Sequence, residues 1–229
     1  MTEFKHPEDG YVFIVTYGRS GSTLLQSLLN TIDGFQLRGE NNNTLFHLYS
    51  AWAAVKDSVP LDGLRTKGEV TAPDHPWYGS EKIGLDSYGR DLARLFTQSV
   101  LQPDPGTRVS GFKEIRFHFH AAHFRPQLNF IHSFFPNSRF IFNTRSHADV
   151  VKSGWWAAQD PSKVTANLTM AEDLFKSYLA TYPERGILMH YDDYTKDHSQ
   201  LNDLFEFLGE PVDREAIEKT FSKRLDHAR

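Results

Sequence analysis

A short apolar run, followed at once by a glycine-containing loop and a helical pattern, constrains the fold of this chain most strongly. Residues 11–15, Tyr-Val-Phe-Ile-Val, are continuously apolar and rich in β-branched and aromatic side chains. Such a run predicts a strand that is buried on both faces. A turn of small residues spans 16–23, and leucines recur at helical spacing from Leu24 onwards. The predicted order is therefore strand, loop, helix.

The same alternation of strands and helices continues along the chain. Strands that alternate with helices pair in parallel through right-handed crossovers. We therefore expect an α/β domain with three layers, α/β/α, around a central parallel sheet, with ligands at the carboxyl ends of the strands. Further strands are predicted at 108–112, 139–143 and 186–190, and helices at 45–56, 88–101, 120–135 with an interruption near Pro126, from Ser146 to about 158, 164–182, 202–208 and 213–221.

Length and composition limit the classes of protein that fit. The chain has 229 residues, which predicts a single domain over 1–229. It contains no cysteine, so disulfides, thiolate nucleophiles and cysteine-ligated metals are excluded. A formal net charge of -4 argues against nucleic-acid binding. The start lacks a basic segment leading into an apolar run, and no apolar run approaches the roughly 20 residues of a membrane span. We expect a cytoplasmic protein without a membrane span.

The loop after the first strand has the composition of a phosphate-binding loop. A glycine loop that opens a helix directs several backbone N–H groups at one point, where the helix dipole adds positive charge. Gly18 and Gly21 allow the tight turn, Arg19 supplies charge, and Ser22 and Thr23 supply hydroxyl groups.

Two other interpretations of this loop are open. One is a plain strand-to-helix turn capped by Ser20 or Ser22. The other is the phosphate loop of a kinase or ATPase, which requires the pattern G-x-x-x-x-G-K-[ST]. The serine Ser22 follows Gly21 directly and the loop has no lysine, so this second interpretation is disfavoured.

A second anion-binding pattern follows the strand predicted at 139–143. Arg145 and Ser153 are eight residues apart, about two helical turns if both lie on or beside the following helix. An arginine fork and a serine hydroxyl in that arrangement can converge on one anion. The alternative is an arginine in a salt bridge at a helix start and a solvated serine.

Together the two patterns resemble the PAPS-dependent sulfotransferases, which use 3′-phosphoadenosine 5′-phosphosulfate (PAPS). Residues 16–25, Thr-Tyr-Gly-Arg-Ser-Gly-Ser-Thr-Leu-Leu, are similar to the 5′-phosphosulfate loop, closest to the R-S-G-[ST]-[ST] form of carbohydrate and tyrosylprotein sulfotransferases. Arg145 and Ser153 match the family's 3′-phosphate pair. Residues 190–194 and 204–209 resemble its Y-E-D-L and F-L-G region.

The resemblance implies a fold, a donor and a site. The fold would be the P-loop-type sulfotransferase fold, with PAPS as donor, adenosine 3′,5′-bisphosphate as product and no metal. We expect the acceptor to be a hydroxyl of a carbohydrate or a small polar metabolite. A variable acceptor-binding insert would span about 44–102, and a homo-oligomer is compatible with the sequence. The donor would be bound by Gly18, Arg19, Ser20, Gly21, Ser22, Thr23, Leu24, Arg145 and Ser153.

The resemblance also suggests catalytic residues. Arg19 can contact the transferring or leaving group, and Lys113 can stabilise the leaving oxygen. Glu40 lies in a Gly-Glu context like that of the base in tyrosylprotein-type enzymes. The alternative for Glu40 itself is a solvated carboxylate, and the base in its place would be Glu114 or one of His118, His120 and His123.

Histidines and aromatic residues form a third group of candidates. His118 and His120 would share one face of a strand, with His123 nearby, and invite a metal interpretation. No carboxylate has a matching spacing, so packing or a place in the acceptor pocket is favoured. Aromatic side chains that could form an acceptor wall or simply pack in the core are Trp52, Trp77, Tyr78, Trp155 and Trp156.

Two rival functions stay open at this point. A P-loop-like kinase with a degenerate loop would need a magnesium carboxylate after the strand at 139–143, where none is obvious. A non-catalytic nucleotide-binding protein would need neither Glu40 nor Lys113 at the predicted cleft. Fold alone does not separate these functions.

Overall fold

The computed structural model describes residues 4–222, which build a parallel sheet with helices on both faces. The strand order in the described part of the chain is β2-β3-β1-β4-β5, and every pair of neighbouring strands is parallel. This confirms the predicted three-layer α/β/α fold. The strands are β1 (Gly10–Thr16), β2 (Phe35–Arg38), β3 (Val109–Glu114), β4 (Ser138–Thr144) and β5 (Gly186–His190).

The helices connect these strands and cover the sheet. No helix among residues 4–222 is long and apolar enough to cross a membrane. The helices are α1 (Ser22–Leu29), α2 (Thr44–Lys56), α3 (Val59–Lys67), α4 (Leu85–Phe96), α5 (Ala121–Phe134), α6 (His147–Val150), α7 (Pro161–Thr181), α8 (Tyr191–Lys196), α9 (Asn202–Leu208) and α10 (Arg214–Ser222).

Strand β1 lies at the centre of the sheet and contributes side chains to two separate hydrophobic cores, one on each face. Its side chains alternate between the two faces because successive residues of a strand point in opposite directions. Tyr11 and Phe13 pack with α2, α4, α5 and α7, whereas Val12 and Ile14 pack with α1, α9 and α10. All seven residues of β1 are buried, as the apolar run predicts.

The structure differs from the sequence predictions at several elements, and helices α3 and α8 were among those not predicted. Strand β2 was not predicted, because it has only four residues and two of them, Gln36 and Arg38, are polar. The helix predicted to run to about 158 is the single turn α6 followed by a 3₁₀ helix over Gly154–Ala158. Helix α5 continues through Pro126, which lies on its exposed side and removes only one backbone hydrogen bond.

The carboxyl ends of the strands define the edge of the sheet where the predicted site residues lie. The loop after β1 begins at Tyr17, Glu40 follows β2, and Arg145 follows β4 directly. Strand β3 extends to Glu114, two residues beyond its predicted end, so Lys113 lies within the strand. His118, predicted on a strand, lies instead in a 3₁₀ helix over Phe117–His120.

Candidate functional site

The loop between β1 and α1 is held by hydrogen bonds to the neighbouring strand β4. The Thr16 hydroxyl donates to the Asn143 carbonyl at 2.6 Å, and the Asn143 side-chain amide donates to the Ser20 carbonyl at 2.9 Å. Arg19 and Gly21 both adopt positive φ, 68° and 80°. This fold of the loop brings the first turn of α1, with its unpaired N–H groups and positive dipole end, to the edge of the sheet.

Two glycines of the loop leave room for aromatic rings. A Cβ atom on Gly18 would collide with the ring of Trp155, and one on Gly21 would collide with the ring of Tyr191. Gly21 also adopts a left-handed backbone conformation that favours glycine. Both glycines are therefore required for the close approach of the two rings to the loop.

A cavity of about 420 Å³ lies against this loop. It contains all three predicted catalytic residues and most of the predicted donor-binding residues. The residues that line it are Gly18, Arg19, Gly21, Ser22, Thr23, Leu24, Glu40, Lys113, Ile115, Arg145, Trp155, Tyr191 and Phe221.

Two predicted donor-binding residues do not line the cavity. Ser20 is fully buried, and its hydroxyl is hydrogen-bonded to the Thr16 hydroxyl at 2.7 Å, so this side chain supports the loop from inside. The Ser153 hydroxyl accepts a hydrogen bond from Arg19 Nε at 2.9 Å. Ser153 therefore orients Arg19, and it reaches the cavity only through that arginine.

Arg145, from the pattern that follows β4, contacts the loop that follows β1. Its Nη1 donates to the Arg19 carbonyl at 3.2 Å, and its guanidinium lies over the Tyr191 ring, 4.7 Å from the centroid. Arg145 Nε lies 4.0 Å from the Asp192 carboxylate and has no hydrogen-bond partner within residues 4–222. This nitrogen is buried, so other atoms of Arg145 line the cavity.

Glu40 forms ion pairs with two cations. Its Oε1 accepts from Lys113 Nζ at 2.6 Å, and its Oε2 accepts from Arg116 Nη1 at 2.8 Å. Partial burial raises the pKa of Glu40, but the hydrogen bonds and charges of Lys113 and Arg116 outweigh it and leave the pKa below its usual value. Glu40 is therefore ionised at neutral pH, as a proton acceptor must be.

Glu114, the other carboxylate considered as the base, accepts hydrogen bonds mainly from backbone N–H groups. Its side chain is fully buried, and its oxygens accept from the N–H groups of Asn43 at 2.7 Å, Asn41 at 3.3 Å and Ile115 at 2.9 Å. It also accepts from Arg116 Nη1 at 2.7 Å. A buried carboxylate with these partners anchors the loop before α2 and is poorly placed to take a proton from a ligand.

The three candidate histidines have separate environments. His118 is 1% exposed, neither ring nitrogen has a hydrogen-bond partner in the described part of the chain, and burial lowers its pKa to about 4. His120 stacks on Phe46 at 3.9 Å, and His123 is hydrogen-bonded to the Tyr49 hydroxyl at 3.1 Å. Residues 4–222 contain no group of three or more His, Asp or Glu arranged to hold a metal ion.

Among the five candidate aromatic side chains, Trp155 alone lines the cavity. Trp156 donates from its indole nitrogen to the Gly18 carbonyl at 3.0 Å, and Trp52 donates to the Leu85 carbonyl at 3.0 Å, so both support the fold. Trp77 and Tyr78 are exposed and lie between α3 and α4.

Sequence reasoning missed two contributors to the site. Tyr191, at the start of α8, lines the cavity beside Gly21 and under Arg145. Its position directly after β5 was the available signal, because that strand also ends at the ligand-binding edge. Arg116 contacts Glu40, and only its place three residues after Lys113 could have suggested this.

The fold is that of an α/β protein of P-loop type, and Arg19, Lys113 and Arg145 line the cavity at the carboxyl ends of its strands. The model of the Sulfotransferase family matches residues 11–214. The chain therefore belongs to the sulfotransferase family.

Solved structures of similar fold carry the same family name. The sulfotransferase domain from the Synechococcus PCC 7002 olefin synthase is 18% identical, with a TM-score of 0.57 over 97% of this chain and 80% of that one. The sulfotransferase STF1 from Mycobacterium tuberculosis H37Rv is 15% identical, with a TM-score of 0.50 over 96% and 72%. At these identities the likeness shows the fold alone. No curated protein sequence matches the chain.

Proposed function

We propose that this sulfotransferase takes its sulfuryl group from PAPS and transfers it to an acceptor hydroxyl. The observation that carries the proposal is the convergence of the phosphate-type loop, Arg145, Lys113 and Glu40 on one cavity. Cations and helix N–H groups suit a donor with several anionic groups. Membership of the family supports PAPS as that donor, because sulfotransferases generally use it.

Each residue has a proposed role that follows from its place in the cavity. The first turn of α1 and Arg19 bind the phosphosulfate, with Ser153 orienting Arg19. Arg145, which lines the cavity, binds the 3′-phosphate. Lys113 stabilises the negative charge that grows on the leaving oxygen.

The donor supplies an activated sulfuryl group, whose bond to the phosphate oxygen breaks as the acceptor oxygen bonds to sulfur. Glu40 takes the proton of the acceptor hydroxyl. We propose a carbohydrate or small polar metabolite as acceptor, bound with the help of residues 44–102. The kinase and the non-catalytic alternatives are not favoured, because the loop lacks a lysine and Glu40 lies ionised beside Lys113. The cytoplasmic location, the oligomeric state and the absence of nucleic-acid binding stay predictions.

A thermal-shift experiment in the presence of a chelator tests the nucleotide. Adenosine 3′,5′-bisphosphate should raise the melting temperature without any metal, because a ligand that binds the native state stabilises it. At 100 times its dissociation constant the gain is about 2.7 kcal/mol. Adenosine 5′-monophosphate, which lacks the 3′-phosphate, is the control and should give a smaller shift. A shift seen with ATP and magnesium alone would overturn the assignment.

A further inference from the structure

Arg116 links Glu40, which follows β2, to Glu114 at the end of β3 through a single atom. Its Nη1 donates to Glu40 Oε2 at 2.8 Å and to Glu114 Oε1 at 2.7 Å. Arg116 itself does not line the cavity, whereas Lys113, the other cation on Glu40, does. Arg116 therefore contacts Glu40 from outside the cavity.

The far end of this link is rigid. Glu114 is fully buried and accepts three backbone N–H groups in addition to Arg116. A carboxylate with that many fixed donors has little freedom to move, so it holds the guanidinium in place. Arg116 in turn is 29% exposed and fixes Glu40, whose side chain is 31% exposed.

The two cations that contact Glu40 differ in whether a bound donor can compete with Glu40 for them. Lys113 faces the cavity and is the proposed partner of the leaving oxygen, so a bound donor competes with Glu40 for its ammonium group. Arg116 is tied to Glu114 and faces no such competitor. Arg19 and Arg145 line the same cavity, but neither contacts Glu40 among the described residues.

We propose that Arg116, anchored on Glu114, is the positioning residue for Glu40. It directs the carboxylate towards the acceptor and keeps it unprotonated while Lys113 contacts the leaving oxygen of the donor. The inference rests on the proposed function of Glu40 as base. It makes Glu114 the support of the base and not an alternative to it. Loss of Arg116 would leave donor binding in place and weaken proton transfer.

Arg116→Gln tests the proposal with two readouts. The first is the pKa of Glu40 in the chain without donor, followed by carbon NMR of labelled glutamate carboxyls, with the Glu40 signal assigned from its loss in Glu40→Gln. Removing one of the cations that lower this pKa should raise it. The second readout is the pH profile of kcat, whose acidic limb should move upward in the same direction. At neutral pH, kcat should fall by up to about a hundredfold, the effect of misplacing a reacting group by about 1 Å, with KM for the donor unchanged.

Two further variants serve as rescue and control. Arg116→Lys keeps the charge without the planar fork, so the pKa of Glu40 and kcat should both lie between those of Arg116→Gln and the wild type. If Arg116→Gln does not fold, the comparison of Arg116→Lys with the wild type tests the proposal. Arg38→Gln removes a positive charge two residues from Glu40, but Arg38 bonds to the carbonyls of Leu101 and Gln102. This control should leave the acidic limb close to that of the wild type.

Failure of the inference differs from failure of the proposed function. A Glu40 pKa and an acidic limb that stay unchanged in Arg116→Gln would overturn the role of Arg116, even in an active enzyme. A wild-type chain that binds donor and transfers nothing would refute the base role of Glu40, while the NMR titration would still report whether Arg116 controls its ionisation.

Discussion

Arg145 is held from several sides at the edge of the cavity. It lies over the Tyr191 ring, donates to the Arg19 carbonyl and approaches Asp192, and these contacts fix the plane of its guanidinium. A guanidinium that is already fixed at the wall of the cavity suits a phosphate group, because little side-chain entropy is lost on binding.

Arg145→Ala should weaken binding of adenosine 3′,5′-bisphosphate about ten- to a hundredfold, since a charge-assisted contact contributes roughly 1.5–3 kcal/mol. Binding of adenosine 5′-phosphosulfate, which has no 3′-phosphate, should change far less. Calorimetric titration of both nucleotides measures the difference. Arg185→Ala is a matched control, because Arg185 also lies over a tyrosine, Tyr182, and does not line the cavity. Equal losses for both nucleotides in Arg145→Ala would place the 3′-phosphate elsewhere.

At the scale of elements, the 3₁₀ helix over Phe117–His120 carries a buried group that couples stability to pH. His118 is neutral in the folded protein because burial lowers its pKa to about 4, whereas an unfolded chain has a histidine near 6.5. Between these two values the unfolded state binds a proton that the folded state does not. The contribution of His118 to the free energy of unfolding is therefore fully present above about pH 6.5 and is lost as the pH drops towards 4.

His118→Leu should flatten this dependence. The wild type should lose on the order of 3 kcal/mol of unfolding free energy between about pH 6.5 and 4 through this group, and the variant should not. Because neither ring nitrogen has a partner among the described residues, the apolar replacement should cost little at neutral pH. Denaturant unfolding at a series of pH values gives the measurement. His120→Leu, in the same turn but exposed, is the control, and an equal pH dependence in wild type and His118→Leu would contradict the account.

Local patterns were enough to predict the elements that are long or strongly apolar. Strand β1 could be predicted because it is buried on both faces and is therefore continuously apolar. The helix that follows could be predicted because it buries one face, which gives leucines at helical spacing. Strand β2 could not, because a four-residue edge strand is stabilised by pairing with β3, and not by its own composition. The helix after β4 ends at Val150, and Gly154, with a φ of +56°, begins the separate 3₁₀ helix that follows.

The candidate site could be predicted where it depends on chain order, and not where it depends on packing. Arg19, Glu40 and Lys113 meet because each lies at or just beyond the carboxyl end of a parallel strand, which topology alone implies. The direction of the Ser20 and Ser153 hydroxyls and the bridge through Arg116 depend on side-chain packing between segments far apart in sequence. No spacing in the sequence encodes those contacts.

At the scale of the whole molecule, a modestly acidic chain gathers cations at one edge of its sheet. The formal net charge is -4, yet the cavity contains Arg19, Lys113 and Arg145 and a single carboxylate, Glu40. Local charge in a cleft, and not net charge, attracts an anionic ligand. The parallel sheet makes this separation possible, because it brings residues from four segments of the chain to one edge.

Transfer of radiolabelled sulfur from PAPS to an acceptor is the most direct measurement of the central claim. With a panel of sugars, small alcohols and phenols, the wild type should form a labelled sulfate ester without added metal. Glu40→Gln should bind the donor equally well and transfer to a sugar hydroxyl about 10²–10⁴-fold more slowly, the usual contribution of a positioned base. The account is contradicted if the wild type binds PAPS and labels no acceptor, or if Glu40→Gln transfers to an unactivated alcohol at the wild-type rate.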